Sequence, residues 1–191
     1  SSPHKEVRSL AANDDYIFAG ADTEAGVFRS ADMGQSWEIV SSGTPHNAVG
    51  CLAIIDGEIL AGFDNKTGLY RSADSGVTWS QTGLAGKLIT SIVVTEDYIY
   101  ASTKTEGLFR SSDNGVTWQS VNSSLPGCVV VSGSNIFVGT PGNGVSRSSD
   151  NGVTWTAVNS GLPPKTSVNS LLVCGNFIFV ATKAGGIYRT S

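Results

Sequence analysis

The sequence has few of the residues on which helical, membrane-spanning and nucleic-acid-binding proteins depend. No apolar run approaches the about 20 residues of a membrane-spanning helix, and no segment has the three-to-four-residue spacing of an amphipathic helix. Positive charge is scarce, since the net charge is −4 and the isoelectric point about 5.0. Without a basic face to neutralise phosphates, the chain is not expected to bind nucleic acid.

Metal-binding and redox residues are equally few. The two histidines, His4 and His46, lie in segments rich in proline and polar residues, and we expect them to be solvent-facing. The three cysteines form an odd set without metal-ligand spacing. We interpret them as buried thiols that act as small apolar side chains, with a Cys128–Cys174 bridge as the alternative. No metal and no cofactor are predicted.

One nine-residue segment, however, is present four times. "RSSDNGVTW" occurs unchanged at Arg110–Trp118 and Arg147–Trp155, and "RSADMGQSW" and "RSADSGVTW" occupy Arg29–Trp37 and Arg71–Trp79. We number these segments box 1 to box 4 in chain order. Their tryptophans are spaced by 42, 39 and 37 residues, and the four boxes contain every tryptophan of the chain. A period of about 40 with one aromatic anchor per unit is typical of repeat architectures such as propellers.

Each repeat consists of short apolar runs rich in Val, Ile, Phe and Tyr, separated by Asp, Asn, Gly and Ser. Such runs predict strands joined by tight turns. Several, such as "IFVAT", are apolar on both faces, as expected of a strand covered on both sides. Because propeller blades pack between neighbours, the sequence predicts an all-β fold: a propeller of about five blades, each with four antiparallel strands.

Within each box, the residues suit a hairpin between strands three and four. The aspartate can accept hydrogen bonds from its own turn, the glycine can take a positive φ, and the tryptophan can bury its ring against the next blade. The predicted structural residues are therefore Ser30, Asp32, Gly34, Trp37, Ser72, Asp74, Gly76, Trp79, Ser111, Asp113, Gly115, Trp118, Ser148, Asp150, Gly152 and Trp155.

From about Val7 to Ser191 the chain resembles the Asp-box, or BNR-repeat, propellers, through "SADMGQSW", "SADSGVTW" and the two copies of "SSDNGVTW". These occur in bacterial sialidases, sortilin-type receptors, xyloglucan-degrading enzymes and a photosystem II assembly factor. The resemblance implies that the box is a folding element opposite the functional face. It also implies export, so we expect a secreted or periplasmic protein of bacterial origin.

The last unit is predicted to be incomplete, because it stops at "IYRTS" after its third strand. We expect residues 1–191 to form a single domain with units at about 7–43, 48–84, 88–124, 127–161 and 167–191. The last blade can be left three-stranded, be closed imperfectly by "SSPHKE", or pair with another chain, and the array can also be part of a longer one. Since an open edge strand favours association, a homo-oligomer formed through this blade is one expected outcome.

Binding residues are expected where strand two turns into strand three, an end of each blade that we call the loop end. The opposite end, which carries the boxes, is the box end. No membrane span is expected, and the predicted partner is a protein or a carbohydrate. The candidate binding residues are Asp22, Glu24, Phe63, Asp64, Lys66, Lys104, Glu106 and Lys183.

The function predicted from these features is that of a non-catalytic binding or assembly module. Sialidases hold their substrate's carboxylate with an arginine triad, whereas Arg8 is the only arginine outside the repeated position; sialidase activity is therefore rejected. A glycoside hydrolase or a fragment of one is the first alternative, with Asp22, Glu24, Asp64 and Glu106 as carboxylates. A lectin is the second alternative, disfavoured because the loop residues differ between units.

Overall fold

The computed structural model describes residues 6–22, 26–45 and 48–190, and its regular secondary structure in these ranges is entirely β. Two compact units are distinguished. The first contains the described residues up to Ile99 together with Ser111–Trp118, and the second contains Tyr100–Arg110 and the described residues from Gln119 onward.

The first two sheets lie wholly in the first unit. One contains β1 (Val7–Ala12), β2 (Ile17–Ala21), β3 (Val27–Ser30) and β4 (Glu38–Ile39). The other contains β5 (Val49–Ile55), β6 (Glu58–Phe63), β7 (Leu69–Ser72) and β8 (Ser80–Gly83).

The other three sheets follow in chain order. The third contains β9 (Ile89–Val94), β10 (Ile99–Thr103), β11 (Gly107–Ser111) and β12 (Gln119–Asn122). The fourth contains β13 (Cys128–Ser132), β14 (Asn135–Thr140), β15 (Gly144–Ser148) and β16 (Thr156–Ala157). The fifth contains β17 (Val168–Cys174), β18 (Phe177–Thr182) and β19 (Ile187–Thr190).

In every sheet the strands are adjacent in chain order, and each registered pair is antiparallel. The first four sheets have four strands and the fifth has three. The fold is therefore an all-β, five-bladed propeller whose last blade has three strands, which confirms the predicted class and the incomplete last blade. The prediction that the chain is one domain stays a prediction.

The second strand of a blade is its most buried strand. All five residues of β10 are buried, as are five of the six in β6. A central strand has neighbours on both edges and side chains covered on both faces, so its sequence is apolar throughout rather than alternating. The outer strands are shorter than expected: β4 and β16 contain only two residues each and begin one residue after the tryptophan.

Each compact unit has its own apolar core. In the first unit, Phe18, Val27, Ile59 and Phe63 are fully buried and pack together with Trp79. In the second unit, the corresponding cluster consists of Val145, Val168, Leu171, Ile178 and Val180.

Candidate functional site

Each box is a hairpin turn closed by its own serine and aspartate. In box 4, Ser148 Oγ donates to Asp150 Oδ1 at 2.7 Å and accepts from the Gly152 amide at 2.8 Å. Asp150 Oδ1 accepts from the Thr154 amide at 2.8 Å, and Oδ2 accepts from the Thr154 hydroxyl at 2.5 Å. The same bonds recur in the other three boxes, from Ser30, Ser72 and Ser111 onward.

Two consecutive residues of each box have left-handed backbone conformations. In box 4 these are Asn151 (φ +56°) and Gly152 (φ +91°). Glycine takes such a conformation without steric cost and asparagine takes it more readily than most residues. Box 1 has Met33 (φ +58°) at the first of these positions, which is a costlier choice.

The hydrogen bonds hold the box carboxylates in their ionised form. The bonds from the hydroxyl and amide four residues later, with that from the box serine, lower the pKa of Asp32, Asp74, Asp113 and Asp150 to about 2. A carboxylate that is engaged by its own turn and ionised above pH 4 is a poor general acid. The geometry therefore gives the boxes a structural part rather than a catalytic one.

Two of the box tryptophans, Trp79 and Trp118, contact the preceding blade, not the next one as the sequence analysis predicts. Trp79 Nε1 donates to Gly76 O of its own box at 2.9 Å and to Val40 O of the first blade at 2.6 Å. Trp118 lies against Gly83 of the second blade. Trp79 is buried, and the other three tryptophans are half-buried. The repeat period predicts that neighbouring blades touch but does not specify the direction.

The arginines that start boxes 1 to 3 extend in the opposite direction and donate to the following blade. Arg29 Nη1 donates to Ser75 O at 2.7 Å, Arg71 Nη1 to Asn114 O at 3.0 Å and Arg110 Nη1 to Asn151 O at 2.8 Å. Each acceptor is the left-handed residue before the box glycine. The repeated arginine thus ties one blade to the next box, a role that sequence reasoning missed although the arginine's own periodicity pointed to it.

At the loop end, three candidate binding residues hold equivalent backbone positions. The amides of Asp22, Asp64 and Lys183 donate to carbonyl oxygens just before the first strand of their blades: Glu6 O at 2.9 Å, Ala48 O at 3.2 Å and Ser167 O at 2.9 Å. This bond fixes the backbone where strand two ends, so the side chain at the position projects from a rigid point. The residue type there is free to vary, and it changes from acidic to basic along the chain.

Asp22 and Asp64 are brought together by Arg8, the second residue of β1. Arg8 Nη2 contacts Asp22 Oδ2 at 2.5 Å, and Nη1 contacts Asp64 Oδ2 at 2.6 Å. The three side chains are 33%, 38% and 31% exposed. One guanidinium therefore bridges the loop ends of the first two blades, and both carboxylates act as hydrogen-bond acceptors.

One candidate residue, Phe63, is not where the sequence predicts an accessible side chain. Phe63 is completely buried and packs edge-on against Tyr70, with ring centroids 5.2 Å apart. Its position at the end of β6, in register with Val49, points the ring into the core, so it is not available to a partner at the surface. Glu24 lies outside the described residues.

The other candidates, Lys66, Lys104, Glu106 and Lys183, are exposed in loops between second and third strands. They belong to a wider pattern that sequence reasoning missed. All five lysines in the described ranges lie at the loop ends of their blades: Lys66, Lys87, Lys104, Lys165 and Lys183. The turns between first and second strands at the box end instead carry Asp14, Asp15, Asp56, Glu96 and Asp97. The pattern emerges only when each lysine is assigned to one end of its blade.

A groove lies at the loop end in the second compact unit. Its walls are the β16–β17 connection and the β18–β19 loop, and its volume is about 350 Å³. Two lysines, two threonines and a tyrosine face this space, together with prolines that stiffen one wall: Pro163, Pro164, Lys165, Thr166, Thr182, Lys183 and Tyr188. The threonine hydroxyls donate to backbone carbonyl oxygens of the walls, so it is the two ammonium groups that suit an anionic ligand group.

The cysteines differ in environment. Cys51 is buried, and burial raises the pKa of its thiol to about 12. Burial also raises the pKa of the half-buried Cys128, whereas Cys174 is exposed. All three are free thiols, so the alternative Cys128–Cys174 bridge is wrong, and only Cys51 matches the interpretation as a fully buried thiol.

The described residues contain no group of three or more His, Cys, Asp or Glu side chains arranged to hold a metal ion. In the same ranges, no helix has the length and apolar character needed to cross a membrane. His46 falls outside the described residues, as does His4.

Five antiparallel meander sheets, four of them with a self-closed box hairpin between the third and fourth strands, define a β-propeller repeat protein. The chain belongs to the family described as the DUF6242 beta propeller domain, whose family model matches residues 59–167, more than half of its length. No curated protein matches its sequence.

Several solved structures share the fold. An ancestral GH74 enzyme is 19% identical in sequence, with a TM-score of 0.74. The match covers 97% of this chain and 31% of the GH74 enzyme. The extracellular domain of BT4673 from B. thetaiotaomicron is 16% identical in sequence, with a TM-score of 0.77. The match covers 99% of this chain and 28% of the BT4673 domain. YCF48, in a structure with D1 peptide bound, is 14% identical in sequence, with a TM-score of 0.75. The match covers 99% of this chain and 66% of YCF48. At these identities the likeness concerns the fold alone, and the chain spans less than two thirds of each of these proteins.

Proposed function

We propose that this propeller is a non-catalytic binding module that holds an acidic polypeptide segment at its loop end. The observation that carries the proposal is the groove bordered by Lys165 and Lys183, with the hydroxyls of Thr166 and Thr182 beside them. The two ammonium groups provide the donors that a carboxylate side chain accepts, because the Thr166 and Thr182 hydroxyls donate to backbone carbonyl oxygens of the groove's own walls. The concentration of lysines at the loop ends, away from the acidic turns of the box ends, favours the same kind of partner.

The scaffold supports this role. The four boxes, which we infer to be Asp-boxes, use their carboxylates within their own turns, and the arginines of the first three bind the following blade. The repeated residues thus maintain the blades, while the loop-end residues vary from blade to blade. A binding site built from non-equivalent loops suits one asymmetric polypeptide better than a repeated sugar. Among the structural neighbours, YCF48 is seen with a peptide, and we propose export for this chain because BT4673 contributes an extracellular domain.

The test begins with a random-peptide display library selected on the immobilised full chain. We expect the enriched sequences to be rich in Asp and Glu, and synthetic versions to bind less tightly as salt rises, because surface charge attraction is screened. Lys165→Glu and Lys183→Glu should each weaken binding at least about tenfold, as expected where like charge replaces a partner. Lys66→Glu in the first compact unit is the matched control and should change affinity by less than about twofold, because it lies outside the groove. Enrichment of neutral or basic peptides, or equal effects of all three variants, would contradict the proposal.

A glycoside hydrolase is the second candidate, because Arg8 brings the carboxylates of Asp22 and Asp64 together. A glycosidase needs one carboxyl group that donates a proton and one that accepts or attacks. Both groups here accept hydrogen bonds from the same guanidinium, which suits neither for proton donation. Turnover of a chromogenic glycoside that Asp64→Asn abolishes and Asp56→Asn, in the turn at the other end of β6, leaves intact would favour this candidate.

A further inference from the structure

Two of the four boxes contain an asparagine followed directly by a glycine, Asn114–Gly115 in box 3 and Asn151–Gly152 in box 4. In such a pair the main-chain nitrogen of the glycine can attack the asparagine side-chain carbonyl carbon, because glycine has no Cβ to hinder the approach. Both asparagines are exposed, so water reaches their side chains. Boxes 1 and 2 have Met33 and Ser75 at this position and cannot react in this way.

The reaction is a deamidation that needs only water as a co-reactant. The glycine nitrogen gives up its proton and bonds to the side-chain carbonyl carbon, and the side-chain nitrogen takes a proton and leaves as ammonia. The product is a five-membered succinimide ring, which water opens at either carbonyl. One opening gives aspartate. The other gives isoaspartate, in which the main chain runs through the former side chain and is one carbon longer.

The closed box opposes the first step of this reaction. In box 3 the Gly115 amide donates to Ser111 Oγ at 2.8 Å, and Ser111 is 2% exposed. The carbonyl oxygen of Asn114, at the other end of the same peptide group, accepts from Arg71 Nη1 at 3.0 Å. Both polar atoms of the peptide group that joins Asn114 to Gly115 are therefore bonded, and the group cannot rotate toward the asparagine side chain without breaking these bonds.

Box 4 holds its asparagine in the same way. The Gly152 amide donates to Ser148 Oγ at 2.8 Å, and Asn151 O accepts from Arg110 Nη1 at 2.8 Å. Ser148 Oγ in turn donates to Asp150, whose pKa of about 2 makes it too weak a base to draw the amide proton away through the serine. The arrangement thus protects the asparagine rather than activating it.

We propose that Asn114 and Asn151 are modification sites that deamidate only when their boxes open. The rate at each site is then the rate of the open segment multiplied by the fraction of time for which the box is open. Isoaspartate lengthens the main chain between the serine and the glycine amide, so a modified box cannot restore its hydrogen bonds. In box 3 the modification therefore releases Trp118 from Gly83 and permanently weakens the contact between the second and third blades.

The test follows deamidation of the full chain at mildly alkaline pH by peptide mass spectrometry. A synthetic peptide of residues 110–118 gives the rate of the open segment for both sites, because residues 147–155 have the same sequence. We expect both asparagines to react at least about tenfold more slowly in the folded chain than in the peptide.

Serine variants show whether each box protects its own asparagine. Ser111→Ala removes the acceptor of the Gly115 amide and should raise the rate at Asn114 at least about fivefold, with the rate at Asn151 in the same molecule changed by less than about twofold. Ser148→Ala should do the reverse. Ser112→Ala, at the exposed neighbouring position, is the matched control and should change neither rate.

Circular dichroism checks that each variant is folded. If Ser111→Ala is not, Arg71→Ala, which frees the carbonyl end of the same peptide group, should likewise raise the rate at Asn114 relative to Asn151. Deamidation as fast in the folded chain as in the peptide, or folded variants that raise both rates equally, would overturn the proposal.

A last comparison tests the effect of the modification on the fold. The isoaspartate form of box 3, separated by ion exchange, should unfold at a lower urea concentration than Asn114→Asp, which has the same charge and an ordinary main chain. Equal urea midpoints would contradict the claim that the modified box stays open.

Discussion

Arg29 of the first blade donates a 2.7 Å hydrogen bond to the carbonyl oxygen of Ser75, in the box of the second blade. The same side chain contacts Glu38 in its own blade and lies 4.7 Å above the ring of Tyr16. Arg71 and Arg110 make the same contact with the following box, and Trp79 and Trp118 contact the preceding blade. The two contacts together join neighbouring blades at the box end.

The arginine contact predicts a difference between two arginines of the same repeat position. Arg71→Ala removes the hydrogen bond to Asn114 O and the ion pair with Glu58, and should lower the free energy of unfolding by about 1.5–3 kcal/mol. Arg147→Ala, at an exposed site, should change it by less than about 0.5 kcal/mol. Urea denaturation of the two variants measures both values. Equal losses would show that the contact with the next box adds nothing.

The serine that closes a box should contribute far more to the free energy of unfolding than the serine next to it in the sequence. Ser111 is 2% exposed and bonds both Asp113 and the Gly115 amide, so Ser111→Ala leaves a buried amide without its acceptor. We expect a loss of about 1–3 kcal/mol in the free energy of unfolding. Ser112→Ala, at the exposed neighbouring position, is the control and should be close to neutral. A near-neutral Ser111→Ala would contradict the role given to the box.

Acid should lower the free energy of unfolding between about pH 4 and pH 2. The box aspartates have pKa values of about 2 in the folded chain and about 3.9 when unfolded. Because the folded pKa is the lower one, their contribution to stability is complete above about pH 4 and is lost as the pH falls through 2. Unfolding near pH 3 should therefore take up protons, and Asp113→Asn should reduce that uptake by up to about one proton. Stability that is flat between pH 4 and pH 2 would be inconsistent with this.

The three thiols should react in an order set by burial. Cys174 is exposed, whereas Cys51 is buried and has a pKa of about 12. Since the thiolate is the reactive form, Ellman's reagent should modify Cys174 first and Cys51 only after unfolding. Cys174→Ser should abolish the fast phase. A fast phase that persists in this variant would mean that the half-buried Cys128 or the buried Cys51 is accessible in the native state.

The strands, the box hairpins and the three-stranded last blade could be predicted from the sequence because each depends on local residue types. The orientation of Phe63 could not, because it depends on the register between β5 and β6, where an irregularity falls between Val49 and Cys51. The Arg8 bridge joins residues 14 and 56 positions away, and nothing in the pattern around Arg8 specifies its partners. The lysine groove was missed for a related reason, since its two walls come from separate connections.

The central claim is that a box stabilises the propeller by seating its indole on the preceding blade. Trp79 and Trp37 test it most directly, because Trp79 is 6% exposed and bonds Val40 O, whereas Trp37 has no earlier blade in the described chain and bonds only its own Gly34 O at 3.1 Å. We predict that Trp79→Ala lowers the free energy of unfolding by about 3–5 kcal/mol and Trp37→Ala by less than half as much. Equal losses from the two variants, or a larger loss from Trp37→Ala, would contradict the account.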